Sequence, residues 1–240
     1  MPQLMNLPDD AHILRQTYGV FDDFCHYTTA ENFTTTVSDS GTIAHADAAG
    51  GVITLTPSDG TVANNDEAYL KSTTEMFKFL ANKPIVFETR IQFTEGNTDD
   101  VNILAGLMNA VAANSLVDDG GGPQSSFSGA VFYKIDGGTK WIVACSVGTG
   151  RTTSTTSTTA GGASYQILRI ECIPVSSTIV EVTYFIDGVQ CLDNTTLLPI
   201  KHSLTYTSAT EMQIGLGIKN GADTTAEALL CDYVFAYQKR

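Results

Sequence analysis

The final quarter of the chain, from Ile179 to Arg240, alternates apolar residues with polar ones. It contains the runs IVEVTYFIDGVQCL, MQIGLGIKNG and ALLCDYVFAYQ. Because successive side chains of a strand point to opposite faces, a period of two predicts strands with one buried face. Asp-Gly and Asn-Gly pairs between the runs predict tight hairpin turns, since glycine adopts a positive φ without strain. This quarter of the chain therefore predicts antiparallel β-structure.

The rest of the chain continues this pattern. In IVFETRIQF (85–93), the residues Phe87 and Ile91 share one face, and Glu88 and Arg90 share the other. The run STTEMFKFL (72–80) fits either a helical turn or a strand, and 109–128 is expected to be a long loop. The run RTTSTTSTT is expected to be a strand in its first half and a turn in its second. Further strands are expected at 52–56, 67–70, 101–108, 130–135, 140–147 and 165–173.

We expect roughly twelve to fourteen strands, most with one polar face, and two antiparallel sheets packed face to face would bury the apolar faces. The length of 240 residues suits one β domain, which we place at 20–240. Residues 1–19 are irregular but carry apolar side chains, so they fit either a tail or an arm that packs on a partner. The expected partner-contact residues of this arm are Leu4, Leu7, Ile13, Leu14 and Tyr18.

The net charge, the hydropathy pattern and the cysteines argue against nucleic-acid binding, membrane insertion and a disulfide framework. The net charge of −13, from 13 basic and 26 acidic residues, disfavours nucleic-acid binding because an acidic surface repels phosphate. No run of eighteen apolar residues predicts a membrane span, and the start of the chain does not resemble a signal peptide. The five cysteines are scattered and odd in number, so we expect buried free thiols and synthesis in a cytosol.

The sequence predicts no catalytic apparatus. A retaining glycoside hydrolase needs two acids about 5 Å apart, which on a strand would give an E-x-D-x-x-E-like pattern that this chain lacks. His12, His26, His45 and His202 have no zinc-ligand spacing, and no G-x-S-x-G elbow is present. We therefore expect a protein that is not an enzyme.

Two kinds of ligand site were weighed. Asp99 with Asp100, or Asp118 with Asp119, offers oxygen ligands for calcium, but no D-x-D-x-D-G loop is present, so we expect no cofactor. Carbohydrate binding needs exposed aromatic rings beside amide or carboxylate groups. The candidates for that alternative are Tyr133, Trp141 and Tyr165.

The order of the strand-like runs has a known counterpart. IVFETRIQF, NILAGLMN, GAVFYKIDGGTKW, YQILRIEC, VEVTYFIDGVQ, MQIGLGIKNG and LLCDYVFAYQ follow one another in that order. This order resembles the concanavalin A-like or laminin-G-like jelly roll, an all-β two-sheet sandwich. More narrowly, it resembles jelly-roll proteins encoded among the structural genes of tailed bacteriophages, some of which are capsid decoration (cement) proteins. The resemblance covers about residues 84–240.

The resemblance implies a function that the residues alone do not give. It implies a non-enzymatic virion protein that binds the major capsid protein, stabilises the icosahedral shell and forms a homotrimer. Its location would be the outer capsid surface after synthesis in the host cytoplasm, with no nucleic-acid or membrane partner. The alternative is a lectin-like carbohydrate-binding module on a virion or tail-fibre surface.

Overall fold

The computed structural model describes residues 16–38, 40–46, 49–58, 61–96, 99–207, 209–221 and 227–240. These residues form eighteen β-strands, and none of their helices is long and apolar enough to cross a membrane. The strands are β1 (Thr17–Asp22), β2 (Phe33–Val37), β3 (Ser40–His45), β4 (Ile53–Ser58), β5 (Glu67–Ser72), β6 (Ile85–Thr94), β7 (Asn102–Met108), β8 (Leu116–Val117), β9 (Gly122–Pro123), β10 (Phe127–Lys134), β11 (Lys140–Gly148), β12 (Thr152–Thr159), β13 (Gln166–Pro174), β14 (Ile179–Ile186), β15 (Val189–Gln190), β16 (Lys201–Thr205), β17 (Gln213–Lys219) and β18 (Ala228–Lys239).

The strands form two large antiparallel sheets and one small hairpin. Sheet A has the order β15-β14-β13-β6-β18-β4-β3, with β1 also paired to β18 and β16 also paired to β14. Sheet B has the order β12-β11-β10-β7-β17-β5-β2, and β8 pairs with β9 apart from both. The predicted all-β sandwich of two antiparallel sheets is confirmed.

The core lies between the two sheets and follows the alternation of the sequence. In β6, Phe87 and Ile91 are buried, whereas Glu88 and Arg90 lie on the outer face of sheet A. Trp141 from β11 is fully buried in this core, where its ring contacts two phenylalanines edge-on at centroid distances of 6.0 and 6.2 Å. Aromatic pairs at this separation add to the free energy gained by burial.

Two local expectations are corrected. The helical turn that was one of two options for 72–80 is wrong, because Phe77 pairs with Met212 as an isolated antiparallel bridge. Phe77 and Phe79 are both buried with Lys78 between them, which is a period of two. The turn expected in the second half of 151–159 is also wrong, because β12 continues to Thr159.

The second half of β12 stays extended because its free edge finds backbone partners. Ser157 N donates to Leu192 O at 2.8 Å, and Asn194 N donates to Thr155 O at 2.9 Å. The segment 191–194 is tied to sheet A as well, since Cys191 N donates to Tyr184 O in β14. This segment therefore joins the two sheets along one edge.

The beginning of the described chain belongs to sheet A. Strand β1 pairs Thr17 with Lys239 and runs to Asp22, so three residues expected in the arm lie in the sandwich. Tyr18 donates from its hydroxyl to Gln238 Oε1 at 2.6 Å, and its ring stacks on Phe77. The other expected arm contacts, Leu4, Leu7, Ile13 and Leu14, lie outside the described residues.

The five cysteines are free thiols, as predicted, but the predicted burial is wrong for Cys25. Four are buried and Cys25 is exposed. Burial raises the pKa of the Cys145 thiol to about 12, so it stays protonated and unreactive.

Candidate functional site

The outer face of sheet B is covered by the segment 109–127, which carries the β8–β9 hairpin. Residues from this segment and from the sheet form a second apolar cluster, separate from the core between the sheets. The chain approaches closely at Gly215, where a Cβ would lie 2.6 Å from Cγ2 of Val111. The buried members of this second apolar cluster are Tyr69, Leu104, Met108, Val111, Leu116, Phe127, Val131, Tyr133 and Ala144.

A buried lysine fastens this covering segment. Lys219 in β17 is 1% exposed, and its Nζ donates to Asn114 Oδ1 at 2.8 Å and Leu116 O at 3.1 Å. The same ammonium pairs with Glu67 at 3.2 Å and with Asp118. Since a buried charge is tolerated only with several partners, this arrangement holds 109–127 closed on the sheet.

The outer face of sheet A carries two adjacent sets of hydrogen-bonded charged and phenolic groups, which we together name the outer-face network. Arg90 Nη1 pairs with Asp232 Oδ2 at 2.6 Å. Tyr233 donates from its hydroxyl to Glu88 Oε1 at 2.8 Å. The other oxygen of Glu88 pairs with Arg169 at 3.2 Å. The network consists of Glu88, Arg90, Arg169, Glu171, Asp232 and Tyr233.

Strand register brings these groups together. Antiparallel pairing sets Glu88 of β6 directly opposite Arg169 of β13, and Arg90 opposite Tyr233 of β18. The register of β18 shifts between Cys231 and Tyr233, so Asp232 is an extra residue at a bulge. Such bulges redirect side chains, and this one leaves Asp232 within reach of Arg90.

Two aromatic rings flank the network. The Tyr165 ring lies over the guanidinium of Arg90, 4.0 Å from the ring centroid. Phe21 of β1, which is 56% exposed, lies 6.2 Å from the ring of Tyr233. Each ring therefore adjoins a polar group whose position is already fixed.

The network also sets the protonation of its members. Partial burial is the larger cause that raises the pKa of the Tyr233 phenol, and the hydrogen bond to Glu88 adds to it. The phenol therefore keeps its proton at neutral pH and donates a hydrogen bond to Glu88. Burial opposes the charge of Arg169, but its bonds to Glu171 and Glu88 raise its pKa overall. At neutral pH the Tyr233 phenol is therefore protonated and the Arg169 guanidinium is charged.

The structure does not bring the three carbohydrate candidates together. Trp141 lies in the core and donates from Nε1 to Gln166 Oε1 at 2.6 Å. Tyr133 lies beneath the covering segment, against Gly122. Of the three, Tyr165 alone is on the outer face of sheet A. The three rings therefore do not lie together on one surface.

The acidic loops weighed as calcium ligands have other partners. Asp118 is bound by Lys219, and Asp119 accepts from Asn64 Nδ2 at 3.0 Å. The Asp99 backbone oxygen accepts from Lys134 Nζ at 3.0 Å. Across the part of the chain that the structure describes, no group of three or more His, Cys, Asp or Glu side chains is placed to hold a metal ion.

Comparison with known proteins places the architecture. No protein-family model matches the chain, and no curated protein matches it in sequence. Among solved structures, it is similar to an endo-1,3-beta-glucanase from Streptomyces sioyaensis, with a TM-score of 0.61 and 13% identity over 93% of this chain and 97% of that one. The potassium-bound carbohydrate recognition domain of Emp46p gives 0.60 and 13% over 91% and 95%. Peanut lectin gives 0.56 and 11% over 93% and 98%.

The fold is a concanavalin A-like jelly roll. The similar structures include lectin-like domains, polysaccharide-acting enzymes and a protein of unknown function, all with little sequence in common with this chain, so the likeness concerns the fold.

The sequence carries a signal for part of the outer-face network. Glu88-x-Arg90 and Arg169-x-Glu171 carry opposite charges in opposite order on two strand faces. In the observed antiparallel register Glu88 lies opposite Arg169, whereas Arg90 lies opposite Ile167 and Glu171 lies opposite Val86. The strand pairing needed to use this signal is not readable from the sequence.

Proposed function

We propose that this protein is a non-catalytic carbohydrate-binding module whose saccharide surface is the outer-face network of sheet A. The observation that carries the proposal is the stack of Tyr165 on Arg90, with Arg90 held by Asp232 on the same face. Tyr165 is half-buried, so part of its ring is accessible beside charged groups that are already fixed, which is a combination that suits carbohydrate recognition.

The chemistry of the face suits sugar hydroxyls. A carboxylate such as Glu88 accepts hydrogen bonds from hydroxyls, and the guanidinium of Arg169 donates them in a fixed fork. Tyr165 and Phe21 offer apolar ring faces for the C–H side of a sugar ring. Because the ion pairs already fix these side chains, little conformational entropy is lost on binding.

The similar structures support this proposal more than the capsid function. They include carbohydrate recognition domains and a lectin. Binding to a major capsid protein, a homotrimeric state and a place on the outer surface of a virion stay predictions. Because the similar structures also include a glucanase and a glucuronan lyase, the absence of enzymatic activity stays a prediction too.

A glycan array followed by titration calorimetry on the best glycan tests the proposal. We expect Tyr165→Ala and Arg90→Ala each to weaken binding at least tenfold, about 1.4 kcal/mol. Lys78→Ala is the matched control, because it breaks an exposed ion pair with Glu211 outside the network, and it should bind as the wild type does.

Two outcomes contradict the proposal. One is a wild-type protein that gives no reproducible glycan signal. The other is a glycan that binds both network variants as tightly as the wild type. Release of reducing sugar from the bound polysaccharide would instead contradict the non-catalytic part.

A further inference from the structure

We infer that this chain associates head to tail, with an apolar turn at one edge of sheet A inserted into a groove on sheet A of a second copy. The turn is 193–198, which we name the edge turn. The groove is lined by Thr17, Pro84, Val86, Tyr237, Gln238 and Lys239, and we name it the terminal groove. Neither belongs to the outer-face network, so this inference does not rest on the proposed function.

The edge turn holds two leucines out in solvent. Leu197 and Leu198 are 61% and 65% exposed. Leu197 has a φ of 56°, a left-handed conformation that a leucine rarely adopts. Backbone strain persists only where the surroundings impose it, and such positions concentrate at functional sites.

The turn is rigid because Asp193 organises it. Its Oδ1 accepts from Thr196 N at 2.8 Å and from Thr195 N at 3.0 Å. Its backbone oxygen accepts from Leu197 N at 2.9 Å. The exposed leucines are therefore presented in one conformation, and ordering them on contact loses little entropy.

The terminal groove has the size and character to take such side chains. It has a volume of about 260 Å³ and an apolar floor that includes Pro84, Val86 and Tyr237. Small-molecule sites usually occupy about 300–1,000 Å³, so this groove suits one or two aliphatic side chains better than a whole ligand.

The charges around the two surfaces are complementary. Lys239 lines the groove, and Arg240 lies beside it at the end of the chain, on a protein whose net charge is −13. The edge turn carries Asp193. The hydrogen bonds that its carboxylate accepts from the backbone amides of Thr196 and Thr195 lower its pKa, so it stays ionised. Opposite charges on the two surfaces steer association and fix its register.

The two surfaces belong to different copies. In sheet A, β15 beside the edge turn and β18 in the groove are four strand positions apart, about 19 Å at the usual strand spacing. A contact between two different surfaces of identical chains is heterologous, and it repeats from copy to copy into a ring or a filament.

Sedimentation velocity over a concentration series tests the inference. We expect the wild-type mass to rise with concentration, and Leu198→Asp or Val86→Asp to keep the protein monomeric where the wild type associates. Val175→Asp is the matched control, because Val175 is 51% exposed but lies outside both surfaces, and it should associate as the wild type does. If Val86→Asp does not fold, Lys239→Glu replaces it, with an expected tenfold or greater weakening.

A mixing experiment isolates the head-to-tail geometry. An equal mixture of the turn variant and the groove variant retains one intact turn and one intact groove, so we expect dimers and nothing larger. A wild type that is monomeric at every concentration, a mixture that stays monomeric, or a turn variant that associates normally would each overturn the inference. Glycan binding by the monomeric variants is measured separately, so failure here is distinguishable from failure of the proposed function.

Discussion

Replacing Lys219 with methionine should destabilise the protein by about 3–5 kcal/mol, because it leaves a buried carboxylate without its cation. Lys219 and its partner Glu67 have side chains that are 1% and 4% exposed. The backbone oxygen of Leu116 and the amide oxygen of Asn114 lose their donor in the same step. Urea denaturation measures the loss.

The covering segment should respond more than the rest of the domain. We expect the amides of 109–127 to exchange hydrogen faster in Lys219→Met than in the wild type. Lys201→Met is the matched control: its pair with Glu181 is exposed, so the expected loss is about 0–1 kcal/mol. Equal losses in the two variants would contradict the anchoring role of Lys219.

Replacing Glu227 with glutamine should stabilise the protein at pH 8 and change little at pH 4. Glu227 is 2% exposed, and neither carboxylate oxygen accepts a hydrogen bond of normal geometry from the described residues. Burial raises its pKa to about 8, with Asp100 and Glu95 adding to the effect, against the Gly221 amide and Lys134. The gain at neutral pH is of order 3 kcal/mol.

The sign of this pH dependence of stability follows from proton binding by Glu227. Between the unfolded pKa of 4.5 and the folded pKa of about 8, the folded state binds the proton of Glu227 more tightly than the unfolded state. The contribution of this group is thus fully present below pH 4.5 and is lost as the pH rises towards 8. Glutamine removes that loss.

Measuring the unfolding free energy of the wild type and of Glu227→Gln across pH isolates the contribution of Glu227. His202 has the opposite effect, because burial lowers its pKa to about 4 and its contribution is lost as the pH falls from 6.5. That effect is common to the wild type and the variant, so it cancels in their difference. A difference in unfolding free energy that is independent of pH would contradict the buried, protonated state of Glu227.

The sheets were predictable because alternation is local. The alternation in a run such as 85–93 predicts which side chains face the core, and Phe87 and Ile91 are buried as predicted. The extended path of Phe77 was not predictable in the same way, because its pairing with Met212 joins residues far apart in sequence.

The surface site was less predictable than the fold. Trp141 and Tyr133 are aromatic residues in strands, and composition does not distinguish a ring in the core from a ring on the surface. The burial of Tyr133 depends on how 109–127 folds back over sheet B. Likewise, Arg90 meets Asp232 through a bulge, which shifts the outer-face alternation by one residue.

The tie between β12 and the segment 191–194 closes one margin of the sandwich. Two backbone hydrogen bonds, from Ser157 N to Leu192 O and from Asn194 N to Thr155 O, join β12 to this segment and form the antiparallel bridge between Thr156 and Asp193. At the opposite margin, β2 and β3 belong to separate sheets and pair with β5 and β4. The chain itself joins the sheets at that margin, because β2 ends at Val37 and β3 begins at Ser40, so both margins of the sandwich resist separation of the sheets.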